Sequence, residues 1–181
     1  GRSLEAAGDV EGAAASHRRA AALDPSSPDV WAELASLYAR NNRPEQAVEA
    51  AEAALDHDQE NAEAHRVLGL VYAARAGSRG GDAEDLSRAI AHLERARNPD
   101  SPDPALYLTL GRLYLGSQNP TRAREILDEV LEAEPQFTEA LALLAQAYEE
   151  EGQWAEAAAV YERAVSAGPR RARYRRELAA A

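Results

Sequence analysis

Apolar residues recur at helical spacing along most of the chain. The clearest early stripe consists of Trp31, Leu34, Ala35 and Tyr38. This i, i+3, i+4, i+7 spacing is typical of an amphipathic helix. Asn-Asn-Arg at 41–43 interrupts the stripe, and a second one starts after Pro44, a residue that fits the first turn of a helix. No strand-like alternation of apolar and polar residues is evident, so the pattern predicts an all-α chain built from helical hairpins.

The hairpin pattern repeats at a nearly constant period. HRVLGLVYAARA begins at residue 65 and YLTLGRLYLGSQ begins at residue 107, and both contain Leu-Gly-x-x-Tyr. Related stretches begin at Trp31 and Leu141, so the successive spacings are 34, 42 and 34 residues. A short internal period indicates stacked structural repeats, of which one carries eight extra residues.

These residues resemble the tetratricopeptide repeat, a 34-residue helix-turn-helix unit with a W-x2-L-G-x2-Y pattern. The residues that match it best are Trp31, Leu34, Tyr38, Leu68, Gly69, Tyr72, Leu110, Gly111, Tyr114, Leu144 and Tyr148. The resemblance implies a right-handed superhelical solenoid of antiparallel helix pairs, with about five repeats and the first one truncated. The predicted single domain comprises a partial repeat at 1–27, repeats at 28–61, 62–103, 104–137 and 138–171, and a terminal helix at 172–181.

The eight extra residues, at about 77–84, lengthen the turn between the two helices of repeat 62–103. Glycines make this turn flexible, and Asp82 and Asp85 are suited to cap a helix N-terminus. We therefore expect the second helix of this repeat to start about one turn early. The insertion is interpreted either as a tolerated surface loop or as a lip that contacts a partner.

Composition narrows the class of partner. The formal net charge is −11 and the isoelectric point is about 4.9, which disfavours binding to nucleic-acid phosphates. The chain lacks cysteine and lysine, and its use of alanine and arginine is typical of a bacterial genome. No apolar run approaches the ~20 residues of a membrane span, so we expect a soluble protein of the cytoplasm or periplasm without direct membrane insertion.

Side chains that could carry chemistry are sparse. The repeat phase places His17 and His65 at packing positions, and no histidines lie at the spacing of a metal site. Trp154 occupies a position where the family often has an aromatic residue, so we expect it to pack. No catalytic motif, cofactor loop or metal cluster is recognised, and the prediction is a protein that is not an enzyme and has no cofactor.

The resemblance also implies a binding surface. In this family, positions 2, 5, 9, 12 and 13 of each first helix line a concave groove. Several of these positions are leucines, although packing within the stack is not expected to need apolar side chains there. Arginines lie beside them. The predicted groove residues are Arg40, Arg66, Leu70, Leu108, Arg112, Leu115, Gln146 and Glu149. An apolar strip edged by arginine favours an amphipathic helix or an extended peptide with carboxylates.

The function indicated by this surface is a non-catalytic adaptor that binds a peptide or helix of a partner protein. Two alternatives stay open at the level of sequence. The chain could be a structural scaffold that associates with copies of itself, or it could be the recruiting arm of a larger enzyme. The repeat phase also leads us to expect that the array is truncated at its N-terminus.

Overall fold

The computed structural model describes residues 2–24, 26–78 and 81–167, with side chains from residue 11 onward in the first helix. Within these residues the fold is all-α and contains no strand. The nine described helices are α1 (Arg2–Leu23), α2 (Pro28–Arg40), α3 (Pro44–His57), α4 (Ala62–Ala76), α5 (Ala83–Ala96), α6 (Pro104–Gly116), α7 (Pro120–Ala133), α8 (Thr138–Glu150) and α9 (Trp154–Ala167). The predicted fold class is confirmed. The predicted terminal helix at 172–181 lies outside the described residues.

The helices form two compact units, Gly1–Ala96 and Arg97–Ala181. In the first unit, α2 pairs with α3 and α4 pairs with α5, while α1 packs on α2. In the second unit, α6 pairs with α7 and α8 pairs with α9. Helix α1 runs without a break through Gly8, which lies one 34-residue period before the turn residue Asn42.

Local sequence signals explain where the helices begin. Prolines occupy the first turns of α2, α3, α6 and α7, where a missing N–H costs no helical hydrogen bond. Before α4, the Asn61 side chain accepts a hydrogen bond from the Ala64 N–H at 2.9 Å. Before α6, the Asp103 side chain accepts one from the Ala105 N–H at 3.0 Å. These caps satisfy backbone donors that have no partner inside the helix.

Three of the hairpin turns use the same backbone conformation. Asn42, Gln118 and Gly152 have positive φ angles of 56°, 58° and 73°, and each is the fifteenth residue of its repeat. Glycine is the residue best suited to this left-handed conformation, and asparagine tolerates it better than glutamine. The repeat architecture therefore imposes the turn even where the residue is not ideal.

The core is built by pairing small residues with large ones. Gly69 and Gly111 are buried on α4 and α6, and Leu93 and Leu127, the large side chains opposite them, are fully buried. Alanines such as Ala35, which is fully buried, let paired helices approach closely. Each unit therefore forms a buried core that needs few aromatic side chains.

The insertion displaces α5 by about one turn. In the other hairpins the second helix begins three residues before the alanine that recurs in each repeat, but α5 begins at Ala83, six residues before the corresponding Ala89. Asp82 caps it, because its carboxylate accepts a hydrogen bond from the Asp85 N–H at 2.7 Å. The predicted early start is confirmed, and α5 keeps the usual length of 14 residues.

Two large apolar side chains are exposed among the described residues. Leu23 at the end of α1 is 89% exposed, and Trp154 at the start of α9 is 55% exposed. The expectation that Trp154 packs is wrong, because α9 buries residues only from Ala157 onward. Over the described part of the chain, no helix combines the length and apolar character that crossing a membrane requires.

Candidate functional site

The first unit contains a pocket between α2 and α4. Its volume is about 470 Å³, and residues of the turn that leads into α3 contribute to its lining. Its walls are formed by Ser36, Ala39, Arg40, Asn42, Pro44, Arg66, Val67, Leu70, Val71, Ala74, Arg75 and Ser78. The structure thus brings together three of the predicted groove residues, Arg40, Arg66 and Leu70. They surround an apolar interior, which is typical of sites that bind an anchoring side chain.

A polar network joins the two helices at this site. Arg66 donates two hydrogen bonds of 2.7 Å to Glu63, and the Ser36 hydroxyl of α2 donates a third to the same carboxylate. Burial by itself raises the pKa of Glu63, but the hydrogen bonds from Arg66 and Ser36, together with the charges of Arg66 and Arg40, bring the pKa below its ordinary value. Glu63 is therefore ionised at neutral pH and fixes the guanidinium of Arg66.

The other two arginines of the pocket are held differently. Arg75 lies 5.6 Å from the centre of the Tyr72 ring, and its Nη2 atom is 3.9 Å from a carboxylate oxygen of Glu45. Arg40 is exposed at the end of α2 and makes no ion pair within the part of the chain that the structure describes. Arg40 is therefore the arginine of this pocket whose charge is most available to a ligand.

The predicted residues of the second unit fall on α6 and α8, two helices in contact. Leu108 is half-buried and Arg112 is exposed on α6. Leu115 is only 7% exposed, so the assumption that packing does not need this side chain is wrong. The helical period indicated the face of α6 on which Leu115 lies. It could not indicate how deeply neighbouring elements bury that face.

The two residues predicted on α8 already interact within the second unit. Gln146 is exposed and donates a hydrogen bond of 3.1 Å to Glu150. Glu149 is half-buried and accepts a hydrogen bond of 3.0 Å from the Tyr161 hydroxyl of α9. Of these two predicted residues, only Gln146 therefore presents an exposed side chain.

Sequence reasoning missed several residues that line the pocket of the first unit. Val67 and Val71 lie one residue beyond the predicted groove positions of α4, and Arg75 follows in its last turn. Asn42 and Pro44 belong to the preceding turn. A signal for them was present, since a helix that lines a pocket contributes neighbouring positions as well as one stripe.

The histidines have structural environments that agree with the repeat phase. His65 is 2% exposed, and His17 is half-buried with its Nδ1 atom 3.5 Å from a carboxylate oxygen of Glu33. Sequence reasoning did not foresee that His65 contacts His92 of α5. No group of three or more histidine, aspartate and glutamate side chains within the described residues is arranged to hold a metal ion.

Comparison with known proteins agrees with this geometry. A family model described as tetratricopeptide repeat matches residues 4–71, 82–140 and 115–181. Among curated proteins, the chain is 34% identical over 159 residues to cellulose synthase operon protein C of Xanthomonas axonopodis pv. citri (strain 306). The match covers 79% of the chain but 10% of that protein. The chain thus spans about a tenth of the length of this relative.

Two solved structures show the same fold. The chain is similar to MamA, with a TM-score of 0.71 and 23% identity over 96% of this chain and 90% of that one. It is also similar to YrrB, described as a TPR protein with an unusual peptide-binding site, with a TM-score of 0.75 and 22% identity. The YrrB match covers 87% of this chain and 77% of that one. At these identities the likeness concerns the fold.

Proposed function

Because the chain belongs to the tetratricopeptide repeat family, we propose that it is a non-catalytic adaptor. In this proposal a segment of a partner protein binds to the first helices of the repeats. The observation that carries this proposal is the pocket between α2 and α4, where an apolar interior is rimmed by arginines. Apolar pockets with a few oriented polar groups are the usual form of a site that anchors a peptide side chain.

The chemistry of the pocket favours a segment with an aliphatic side chain next to a carboxylate. Val67, Leu70 and Val71 offer an apolar surface for the aliphatic group. Arg40 offers a guanidinium, which pairs well with carboxylates because its donors match their geometry. A basic segment would meet repulsion at the same place.

The arginines have different roles in this proposal. Arg66 is bound by Glu63 on two hydrogen bonds, so it shapes the wall of the pocket and contributes little net charge. Arg40 interacts with the Glu63 charge but forms no ion pair with it or with any other described carboxylate, so its guanidinium selects the charge of the ligand. Charge reversal at Arg40 should therefore change which segments bind. Loss of the Glu63 carboxylate should strengthen the binding of acidic segments.

The test is selection from a displayed library of random peptides against the folded chain. For the wild type we expect enrichment of peptides in which an aliphatic residue lies next to Asp or Glu. Arg40→Glu should remove the preference for acidic residues. Arg19→Glu is the matched control, because Arg19 is exposed on α1 outside the pocket, and it should enrich the same peptides as the wild type.

A second pair of variants tests the apolar part of the pocket. Leu70→Glu should abolish enrichment, because a carboxylate would occupy the apolar interior. Leu86→Glu is its control, since Leu86 is also half-buried but lies on α5 outside the pocket. Leu115→Glu is unsuitable because Leu115 is buried. If the wild type enriched no peptides, or if Leu70→Glu left enrichment intact, the groove would not be the binding site.

Two residues of the second unit extend the proposal. Leu108 and Arg112 on α6 offer an aliphatic side chain beside an exposed guanidinium, the same combination as Leu70 and Arg40. We include Gln146 and Glu149 of α8 as further contacts of the partner, with Glu149 limited by its hydrogen bond to Tyr161. Arg112→Glu in the same selection tests whether the second unit also binds peptides, and an unchanged peptide preference would restrict binding to the first unit.

A second candidate function follows from the curated relative. Since 79% of the chain aligns with a tenth of cellulose synthase operon protein C, the chain is also suited to be the recruiting array of a longer protein connected with polysaccharide synthesis. The full-length reading frame tests this directly, because a catalytic domain should accompany the repeats. Self-association as a scaffold is the remaining alternative, and light scattering of the purified chain would reveal it as an oligomer.

A further inference from the structure

Two histidines face each other between α4 and α5. The Nδ1 atom of His65 is 2.8 Å from the Nδ1 atom of His92, and the Nε2 atom of His65 is 2.9 Å from the carbonyl oxygen of Gln59. His65 is 2% exposed, and the ring of His92 stacks on Tyr72 with 5.8 Å between ring centres and 15° between planes. The pair joins the two helices of the hairpin that carries the insertion.

The hydrogen bonds determine where the protons lie. The Gln59 carbonyl can only accept, so Nε2 of His65 carries a hydrogen. A neutral His65 then has a bare Nδ1 atom, and the hydrogen between the two Nδ1 atoms must belong to His92. The neutral pair therefore consists of His65 protonated on Nε2 and His92 protonated on Nδ1, and both hydrogen bonds are satisfied.

The pair tolerates additional protons poorly. A first extra proton can bind only at Nε2 of His92, because the other three ring nitrogens are already engaged. A second would place two N–H groups opposite each other across 2.8 Å and break the hydrogen bond between the rings. Burial, followed by the electrostatic effects of His65, Arg95 and Arg88, lowers the pKa of His92. Folding of this hairpin is thus linked to the uncharged state of His92.

The surroundings include charges of both signs. On α5, Arg88 and Arg95 oppose a charge on His92, and their own carboxylate partners are Glu84 and Glu60. From α3, the carboxylates of Glu52 and Asp56 line the same cavity of about 500 Å³ and favour the charged form. From α4, the face of the Tyr72 ring covers one side of the imidazole. The pKa of His92 falls despite the carboxylates, so burial and the arginines prevail.

We propose that the histidine pair, His65 and His92, makes the α4–α5 hairpin a proton-sensitive element that is firmly packed at neutral pH and loosens under mild acid. Helix α4 also carries Arg66 and Leu70 on the wall of the pocket. Loosening of α4 against α5 therefore changes the shape of that wall. The pair stands apart from the peptide-binding proposal, because its stability effect exists whatever ligand the pocket takes.

The direction of the pH effect follows from the lowered pKa. In the unfolded chain His92 has its ordinary pKa of about 6.5. Below that pH the unfolded state therefore binds a proton that the folded state does not bind. The stabilisation is fully present above about pH 6.5 and is lost as pH falls toward the lower folded pKa. Over that window the unfolding constant rises by up to about tenfold per pH unit.

The experiment compares urea unfolding of the full chain at about pH 7.5 and about pH 5.5, on either side of the ordinary histidine pKa. His92→Gln replaces the imidazole by an amide that carries N–H donors but cannot titrate. His57→Gln is the matched control, since His57 is an exposed histidine on α3. Between the two pH values, we expect the unfolding constants of wild type and His57→Gln to rise several-fold more than that of His92→Gln. An equal rise in all three proteins would overturn the proposal.

A second measurement does not depend on a variant. Nitrogen-15 NMR of the wild-type imidazoles at neutral pH should show a bare Nδ1 on His65 and a bare Nε2 on His92. Lowering the pH should then protonate Nε2 of His92 below the ordinary histidine range, and amide exchange in residues 66–70 should become less protected at the same pH. A bare Nδ1 on His92, or titration of His92 within the ordinary histidine range, would contradict the assigned arrangement.

Discussion

Gly69→Ala tests whether close contact between α4 and α5 determines stability. An added Cβ at residue 69 would lie 2.5 Å from Cγ, 2.6 Å from Cδ2 and 3.0 Å from the backbone nitrogen of Leu93. Carbon atoms in contact are normally separated by about 3.5–4.0 Å, so the two positions must move apart by roughly 1 Å. Leu93 is fully buried, and its backbone is part of the obstruction, so a change of rotamer cannot relieve the clash.

The expected loss of stability combines two opposing effects. Overpacking of a core typically costs about 1–3 kcal/mol, and a clash that involves backbone belongs at the upper end of that range. Alanine in a helix interior is more favourable than glycine by about 1 kcal/mol. We therefore expect Gly69→Ala to lower the free energy of unfolding by about 2 kcal/mol, with part of that loss appearing as displacement of α5.

The assay is urea unfolding followed by far-UV circular dichroism. Gly12→Ala is the matched control, because Gly12 lies inside α1, is exposed, and has no atom within 4 Å of an added Cβ. That variant should be more stable than the wild type by up to about 1 kcal/mol. The two alanine substitutions should thus change stability in opposite directions.

A double mutant separates the clash from other effects. In a Leu93→Ala background the obstructing side chain is absent, so adding Gly69→Ala should cost little or even restore some helix stability. If Gly69→Ala alone were as stable as Gly12→Ala, or if the cost were the same with and without the Leu93 side chain, close packing of these helices would not be the reason for glycine at this position.

Four further predictions concern other parts of the described structure. Gly111→Ala places its Cβ 2.9 Å from Cδ2 of Leu127 and meets only side-chain atoms, so urea unfolding should show a smaller loss than for Gly69→Ala. Asn61→Ala removes the cap of α4 and should lower the free energy of unfolding by about 1 kcal/mol in the same assay. Arg112→Glu changes an exposed residue, and its thermal midpoint should stay close to that of the wild type. Because the pKa of Glu63 is lowered, the ionised carboxylate stabilises the fold above its unfolded pKa, and this stabilisation is lost as pH falls below that value. The difference in free energy of unfolding between wild type and Glu63→Gln should therefore shrink below about pH 4.5, as measured by unfolding over a pH series.

Features encoded over a few neighbouring residues were predictable from the sequence. Pro44 starts α3, and Asp82 caps a displaced α5, because both act on the adjacent backbone alone. The hairpin turns were located by the repeat phase, although Gln118 takes a left-handed conformation that glycine would adopt more easily. The period works here because each repeat folds against its neighbours in the same way.

The site was predictable only in outline. The family resemblance implied that Arg40, Arg66 and Leu70 share one groove, and the structure brings them to one pocket. The helical period makes Glu63 and Arg66 neighbours on α4, but it could not show that Ser36 of α2 donates to the same carboxylate, since that depends on side-chain conformation. It also gave no measure of depth, so Leu115 was counted as available although it is buried.

The contact between His65 and His92 was beyond reach for a related reason. The two residues are 27 positions apart in the one repeat whose second helix is displaced by an insertion, so the standard repeat offsets do not pair them. Predicting the contact requires the shift of α5 by one turn and the side-chain direction of His65 together. Repeat offsets therefore predict side-chain contacts least well in a repeat that carries an insertion.

The charge of the pocket is consistent with the acidity of the whole chain once distance is considered. A net charge of −11 repels an acidic partner at long range, but salt screens charges beyond about 8 Å under physiological conditions. Inside that range the ligand meets Arg40, while Arg66 is largely neutralised by Glu63. Phosphate backbones need many basic contacts and stay excluded, whereas a single carboxylate beside an aliphatic side chain needs one. The overall charge thus limits the number of acidic groups that a partner segment presents and does not set the sign of the group that the pocket prefers.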